Sequence, residues 1–393
     1  MVKKNILIIQ SGGSTSVINR SLLGIIKEVR KQLPNGRIYG SDHGIQGLIE
    51  GITPDITDIS NDQLSSLRFS PGAALGSSRH KIEEREIAPI IDNLIQHKIE
   101  IIYLIGGNDS AETGLLLGNH FSEKKLAIQV IHIPKTIDND LEETDHCPGY
   151  GSSARFIAQA TLGAGKDAWS MGKASPITII EVMGRDTGWL ATASALYKQT
   201  DFDPPHFIAI PEQSFNEDIF LLKIEESYRK FGYSTVVIAE NIKSNNLPIG
   251  DTGTPWFIDD FGHEYYESPA RYLSQQVSKR LNLRCRYERP GSIQRSLIDS
   301  ISDTDGNDAE LVGKAAVTES LKDKTEIMIT IIRDSSNPYE IHTGTASLNK
   351  IAGQVRSLPK KFHPSEDGYI SNGFSEYLNP LIGTRIDPIK RLL

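Results

Sequence analysis

With 393 residues, 38% of them hydrophobic and 23% charged, the chain has the makeup of a globular protein long enough for two domains. A net charge of −8 without any long basic block argues against nucleic acid as a main partner. The only cysteines, Cys147 and Cys285, are far apart and lack metal-ligand spacing, which argues against a disulfide scaffold and against structural zinc.

The N-terminal apolar run from Ile6 to Ile9 is too short for a secretion signal or a membrane span, so no membrane partner is expected and the cytoplasm is the expected compartment. The run reads as the middle of a central strand, Asn5–Gln10, followed by Ser11-Gly12-Gly13-Ser14-Thr15. A helix comes next, with Ile18, Leu22, Ile25, Ile26 and Val29 on one face. Strand, glycine turn and helix N-terminus together aim backbone N–H groups at a phosphate. The turn is neither a Walker A motif nor G-x-G-x-x-G, and many inert turns look the same. The stretch GAALGSSR at 72–79 reads either as a flexible loop or as a phosphate-facing loop with Arg79 as its charge.

Residues 84–98 have helical periodicity, and 99–105 (IEIIYLI) form a strand that runs into Gly106-Gly107-Asn108-Asp109-Ser110. This is a second strand–glycine–helix turn, now carrying an acid. The strand at 126–133 ends in Pro134-Lys135-Thr136-Ile137-Asp138-Asn139-Asp140. That segment delivers a lysine and paired carboxylates to the carboxyl edge of a parallel sheet, where open α/β sheets keep their ligands. One carboxylate can accept a proton from an attacking hydroxyl while the other orients it or a metal. The same residues also read as a Pro/Asn/Asp loop with a solvated lysine. Gly149 to Ala154 matches G-x-G-x-x-A, but no strand precedes it, so it is no dinucleotide fingerprint.

A second α/β series opens with the strand at 176–183, which ends in Gly184-Arg185-Asp186-Thr187-Gly188. A helix at 189–197, a strand at 206–210, a helix at 217–230 and the strand Ser234–Ala239 follow, the last ending in Glu240. A helix at 269–282 leads into an arginine-rich stretch with Arg284, Arg286, Arg289 and Arg295, read as an anion site. A helix at 308–322 and a strand at 326–333 complete the legible elements.

Together GGNDS, PKTIDND, TDHCPGYGSSA from Thr144, EVMGRDTGWLA from Glu181, PE at 211–212, AEN at 239–241 and PGSIQRS from Pro290 resemble the phosphofructokinase family, and within it the pyrophosphate-dependent branch. The resemblance covers roughly residues 5–300 in the family's order. It implies two Rossmann-like three-layer α/β/α domains with mostly parallel sheets and the active site in the cleft between them. Residues 1–149 plus about 294–345 would form the phosphoryl-donor domain, and 150–293 plus about 346–393 the sugar-phosphate domain. It also implies reversible phosphorylation of fructose-6-phosphate at its 1-hydroxyl, with Mg2+ as cofactor and a homodimer or higher homo-oligomer as the assembly.

By the same resemblance Asp138 is the base, with Lys135 and Asp109 as the other catalytic residues. Thr136, Ile137 and Asp140 flank the substrate. Met183, Gly184 and Arg185 bind the sugar phosphate, Glu240 its hydroxyls, and Arg286 and Arg295 its 6-phosphate. Gly13, Arg79 and Ser110 meet the donor phosphates, and Asn108 and Asp109 hold the metal. Asn108 stands where much of the family has an aspartate, Pro176 where many relatives have an arginine, and Ser292 where a ring-bearing residue is common. ATP-using relatives carry glycines where this chain has Asp109 and Lys135, and often a tyrosine where it has Ile45. A carboxylate at 109 repels a nucleotide's α-phosphate, and Lys135 suits compact pyrophosphate. The alternatives are ATP as donor, sedoheptulose-7-phosphate as acceptor, and a non-catalytic sugar-phosphate sensor.

Overall fold

The computed structural model describes residues 4–250 and 254–384. In chain order its main elements begin with β1 (Asn5–Gln10), α1 (Ile18–Gln32), β2 (Ile38–Gly40), α2 (Ile87–Gln96), β3 (Ile99–Gly106), α3 (Asn108–Glu123) and β4 (Gln129–Pro134). They continue with α4 (Tyr150–Met171), β5 (Ile177–Val182), α5 (Trp189–Ala193), β6 (Phe207–Ala209), α6 (Glu217–Phe231) and β7 (Ser234–Ala239). The last are α7 (Pro269–Leu281), β8 (Cys285–Glu288), α8 (Asp303–Ser320), β9 (Ile327–Ser336) and β10 (Tyr339–Ser347). The chain divides into two compact units. One takes in the chain up to Tyr150 with Asp259–His263 and Arg295–Arg356; the other takes in Gly151–Ile258, Glu264–Gln294 and the chain from Ser357.

The first unit is built on a six-stranded sheet in the order β10-β9-β4-β3-β1-β2, parallel except for the β9–β10 hairpin. Successive side chains of a strand point to opposite faces, so a strand covered on both sides reads as a continuous apolar run. Ile6, Ile8, Ile101, Tyr103, Ile105, Ile131 and Ile133 pack with α1 and with Val312, Ala316 and Val317 of α8. Leu7, Ile9, Ile102, Leu104 and Val130 pack on the other face with Ile87, Ile90, Ile91 and Leu94 of α2 and Leu117 and Phe121 of α3. Helices on both faces make this a three-layer α/β/α unit. The second unit has a four-stranded, wholly parallel sheet in the order β8-β5-β7-β6. There α7 packs on β5 and β8, and α6 on β6 and β7. Among the described residues no helix is long and apolar enough to cross a membrane.

Several elements depart from the sequence reading. The helix expected at 189–197 ends at Ala193, where the Ser194 hydroxyl donates to Ala191 O at 2.5 Å, a local bond that competes with helix continuation. The helix expected from 308 begins at Asp303, capped by Ser302, whose Oγ accepts from Asp305 N. Its acidic first turn suits the positive end of the helix dipole. The arginine-rich stretch contains β8, which holds Arg286 alone, with Arg284 before it and Arg289 after it.

Behind the first sheet's carboxyl edge lies a buried ionic network. The fully buried His146 has Nδ1 2.9 Å from Asp145 Oδ2 and Nε2 3.0 Å from Asp308 Oδ2. Arg333 Nη2 donates to Asp145 Oδ2 at 2.8 Å, and Tyr339 OH to Asp308 Oδ2 at 2.7 Å. Burial alone pulls the imidazole down, but the bonds to Asp145 and Asp308 outweigh it and raise His146 above its ordinary 6.5. His132 and His206 go the other way. Burial pushes them down to about 3 and about 4, with the charges of Lys135 and Lys198 adding to the effect.

The signs follow from linkage. The raised His146 contributes stability that is whole below pH 6.5 and is lost as pH climbs through its folded value. The depressed His132 and His206 contribute stability that is whole above pH 6.5 and is lost as pH falls toward 4 and 3. Each histidine adds a slope of about 1.4 kcal/mol per pH unit within its window. Melting curves across pH should therefore decline on both sides, with His146→Gln removing part of the alkaline decline only. An unchanged alkaline limb in that variant would show that His146 is not its source.

Candidate active site

The first-unit residues expected to meet the donor gather around the end of β1. Gly12 N donates to Ser78 O at 3.0 Å and the Ser77 hydroxyl donates to Gly12 O at 2.6 Å, so the 72–79 loop is tied to the glycine turn. A Cβ placed on Gly13 would lie 2.2 Å from Arg295 Nη1 and 3.5 Å from Arg79 Nη2. Glycine is what lets two guanidinium groups border this turn. Lys135 Nζ donates to Gly13 O at 2.7 Å, and Lys135 is only 3% exposed. It is therefore no solvated loop lysine. The structure brings Gly13, Arg79, Lys135 and Arg295 together, and Arg295 belongs to the first unit.

The next turn begins α3. Ser110 is buried, packed where a Cβ on Gly106 would sit, and Asp109 is half-buried. Asn108 Nδ2 donates to Asp140 Oδ2 at 3.0 Å, while Asn108 Oδ1 is buried with no hydrogen-bond partner among the described residues. No cluster of three or more His, Cys, Asp or Glu side chains able to hold a metal occurs among the described residues. Asn108, Asp109 and Asp140 nonetheless offer an amide and two carboxylates, a ligand set of oxygen alone. Such a set fits a hard cation that keeps waters and shares substrate phosphates, and Mg2+ is ordinarily bound that way.

The loop after β4 is held by backbone and side-chain bonds together. Lys135 N donates to Gly106 O at 2.9 Å, and Asp138 N donates to Thr136 Oγ1 at 3.0 Å. Asn139 turns the chain with φ of 57°, and its Oδ1 accepts from Cys147 N at 2.9 Å. Lys135, Thr136, Ile137, Asn139 and Asp140 are buried while Asp138 is half-exposed, so Asp138 is the side chain the loop presents. Burial pushes the Cys147 thiol up to about 12, which leaves it inert as a nucleophile.

One residue that the sequence reading passed over fixes this loop. Arg356 Nε and Nη2 donate to Asn139 O at 3.1 and 2.8 Å. Its Nη1 donates to Asp145 O at 2.6 Å and to Thr144 O, and its backbone N donates to Asp140 O at 2.8 Å.

The second-unit residues expected to meet the sugar follow β5 and β7. Gly184 has φ of 143°, and a Cβ there would lie 2.7 Å from Thr187 O, so this turn requires glycine. Arg185 N donates to Glu240 Oε1 at 3.1 Å, Glu240 N donates to Val182 O at 3.0 Å, and Met183 N donates to Gln294 Oε1 at 3.1 Å. Met183, Gly184, Arg185 and Glu240 thus form one cluster, with Gln294 as an addition that the sequence reading missed. Glu212 of the PE pair has a structural task, its Oε1 accepting from Gly188 N at 3.0 Å and Leu358 N at 2.8 Å.

The arginine-rich stretch does not converge. Arg286 Nη2 lies 2.5 Å from Asp167 Oδ2, Arg289 Nε 2.9 Å from Glu181 Oε1, and Arg284 Nη1 donates to Ala174 O at 3.2 Å.

A family model described as Phosphofructokinase matches residues 5–318. The curated "Pyrophosphate--fructose 6-phosphate 1-phosphotransferase" of Halomonas elongata is 34% identical over 97% of this chain and 92% of that protein. The "Sulfofructose kinase" of Alkalicoccus urumqiensis is 28% identical over 92% of each chain. The crystal structure of the pyrophosphate-dependent phosphofructokinase from Nitrosospira multiformis superposes with a TM-score of 0.87 at 35% identity, covering 99% of this chain and 94% of that one. Motifs, sheet order, family match and full-length relatives agree: the chain belongs to the phosphofructokinase family.

Proposed function

We propose that the protein transfers a phosphoryl group reversibly between pyrophosphate and the 1-hydroxyl of fructose-6-phosphate, giving fructose-1,6-bisphosphate and orthophosphate. The observation that carries the donor choice is the buried Lys135 ammonium at Gly13 O, with Asp109 in the neighbouring turn. A compact diphosphate gains from a point charge there, while the Asp109 carboxylate repels a nucleotide's α-phosphate. Relatives of matching length bear names that specify the same donor and acceptor.

In this reading Asp138 takes the proton of the sugar's 1-hydroxyl. The oxygen attacks the terminal phosphorus in line, and the bond to the leaving phosphate breaks. The transition state is loose, so positioning and charge neutralisation do most of the work. Lys135, Arg79 and Arg295 neutralise the donor, and Ser110 and the Gly13 turn seat it. Thr136, Ile137 and Asp140 set the base. Met183, Gly184, Arg185 and Glu240 hold the sugar, and Arg286 its 6-phosphate. Mg2+ bound through Asn108 and Asp109 would neutralise the donor oxygens further. We place the protein in the cytoplasm as a homodimer or higher homo-oligomer.

The test is initial velocity with fructose-6-phosphate and Mg2+, comparing pyrophosphate with ATP. Pyrophosphate should exceed ATP in kcat/KM by roughly 10²–10³-fold or more, the scale a buried charge pattern can impose. Turnover with ATP alone would overturn the donor assignment. A second reading changes only the acceptor: Ser292 and Pro176 both differ from common family residues on that side, so sedoheptulose-7-phosphate is the next sugar to try.

A further inference from the structure

The turn Asp259–His263 belongs to the first unit although the chain on either side of it belongs to the second. It is self-contained. Asp259 Oδ1 accepts from Phe261 N at 3.1 Å and His263 N at 3.0 Å, and Gly262 N donates back to Asp259 O at 2.8 Å. Three of its outward contacts go to donor-side residues or their neighbours. His263 Nδ1 lies 3.0 Å from Asp259 Oδ2, which leaves Nε2 facing Asp109 Oδ1 at 3.4 Å. The buried Asp259 carboxylate is 4.0 Å from Arg79 Nη1, and Asp260 Oδ2 is 3.7 Å from His80 Nδ1. Arg79 ends the 72–79 loop and Asp109 lies in the first turn of α3. The turn is thus fastened to both of these separate donor-side elements.

We propose that Asp259–His263 is a clamp on the donor site, in which His263 is a positioning residue that fixes the Asp109 carboxylate and Asp259 does the same for Arg79. The proposal rests on the assignment of pyrophosphate as donor. The physical argument concerns competition. Asp109 and Arg79 are both met by this turn, and an Asp109 carboxylate turned away from His263 would compete with the anionic ligand for the donor-side cations. A carboxylate held by His263 stays where it discriminates against nucleotides and leaves those cations to pyrophosphate. Because Nδ1 is committed to Asp259, the imidazole spans two carboxylates with fixed roles for its nitrogens.

Substitution separates the two contacts. Glutamine places an amide near the Nε2 position and keeps a partner for Asp109, whereas asparagine reaches only the Nδ1 position and keeps only Asp259. The test is calorimetric binding of pyrophosphate, and separately of fructose-6-phosphate, to the full chain and to His263→Ala, His263→Asn and His263→Gln. Ala and Asn should weaken pyrophosphate binding roughly ten-fold, the scale of one lost charge-assisted bond, with Gln within about three-fold of the unaltered protein. Fructose-6-phosphate affinity should stay within about two-fold throughout. Recovery by Asn and not by Gln would mean that His263 only holds the turn together, and the clamp on Asp109 falls. Unchanged pyrophosphate affinity in Ala would also overturn it. Turnover of the unaltered protein is followed alongside. If it binds pyrophosphate without transferring it, the reaction assignment fails while the affinity pattern still decides the clamp.

Discussion

Asp138→Asn is expected to lower kcat by roughly 10²–10⁴-fold, the contribution of a positioned general base, while fructose-6-phosphate still binds. The substitution keeps size and removes only the proton acceptor. The loop has several holds that do not involve that carboxylate. It is held by Asp138 N on Thr136 Oγ1, by Asn139 Oδ1 on Cys147 N, and by Arg356 on the carbonyls behind it. The cluster of Met183, Gly184, Arg185 and Glu240, proposed to hold the sugar, lies in the second unit and keeps its own bonds. A selective fall in kcat with the sugar's dissociation constant within about two-fold would thus mark loss of an interaction made in the transition state. The measurement is steady-state velocity in the pyrophosphate direction combined with calorimetric titration of fructose-6-phosphate. If kcat stays within about ten-fold of the unaltered protein, Asp138 is not the base.

How much of this site was legible in the sequence depends on the range of the interactions involved. The strands β1, β3, β5 and β7 are continuous apolar runs because both their faces are covered, and a run that ends abruptly in glycine or charge marks a carboxyl edge. PKTIDND, GGNDS and MGR stood out for that reason, and the neighbouring bonds Lys135 to Gly13 and Arg185 to Glu240 link turns already singled out. The β9–β10 hairpin was only half visible, since β10 is largely exposed or half-buried and carries no clear apolar alternation. The arginines of the 284–289 stretch lie close in sequence, yet each bonds a different partner: Arg284 the Ala174 carbonyl, Arg286 Asp167 and Arg289 Glu181. Least legible were single residues whose partners lie far along the chain. The turn Asp259–His263 meets Asp109 and Arg79, and Arg356 reaches Asn139 across 217 positions. Nothing local in composition or period encodes such pairings.

Arg356 carries the second large expectation. Its guanidinium fork satisfies the carbonyls of Asn139, Thr144 and Asp145 at once, and its backbone N bonds Asp140 O. Removing it strands carbonyls around the residues that present Asp138, and unsatisfied buried acceptors are costly. Arg356→Ala is expected to lower stability by on the order of 3 kcal/mol. It should also lower kcat by about 10²-fold, because a displacement near 1 Å at a reacting group has that effect. KM for both substrates should move little, since neither is held by the groups Arg356 bonds. Arg356→Lys tests geometry against charge. An ammonium can reach one or two of these carbonyls but cannot reproduce the planar fork, so Lys should restore much of the melting temperature and little of kcat. Chemical denaturation and steady-state kinetics on the two variants separate the possibilities. A loss of stability with kcat intact in Arg356→Ala would make Arg356 a structural pin without influence on the base. A loss of kcat in Arg356→Lys at near-normal stability would instead show that the fork sets the position from which Asp138 works.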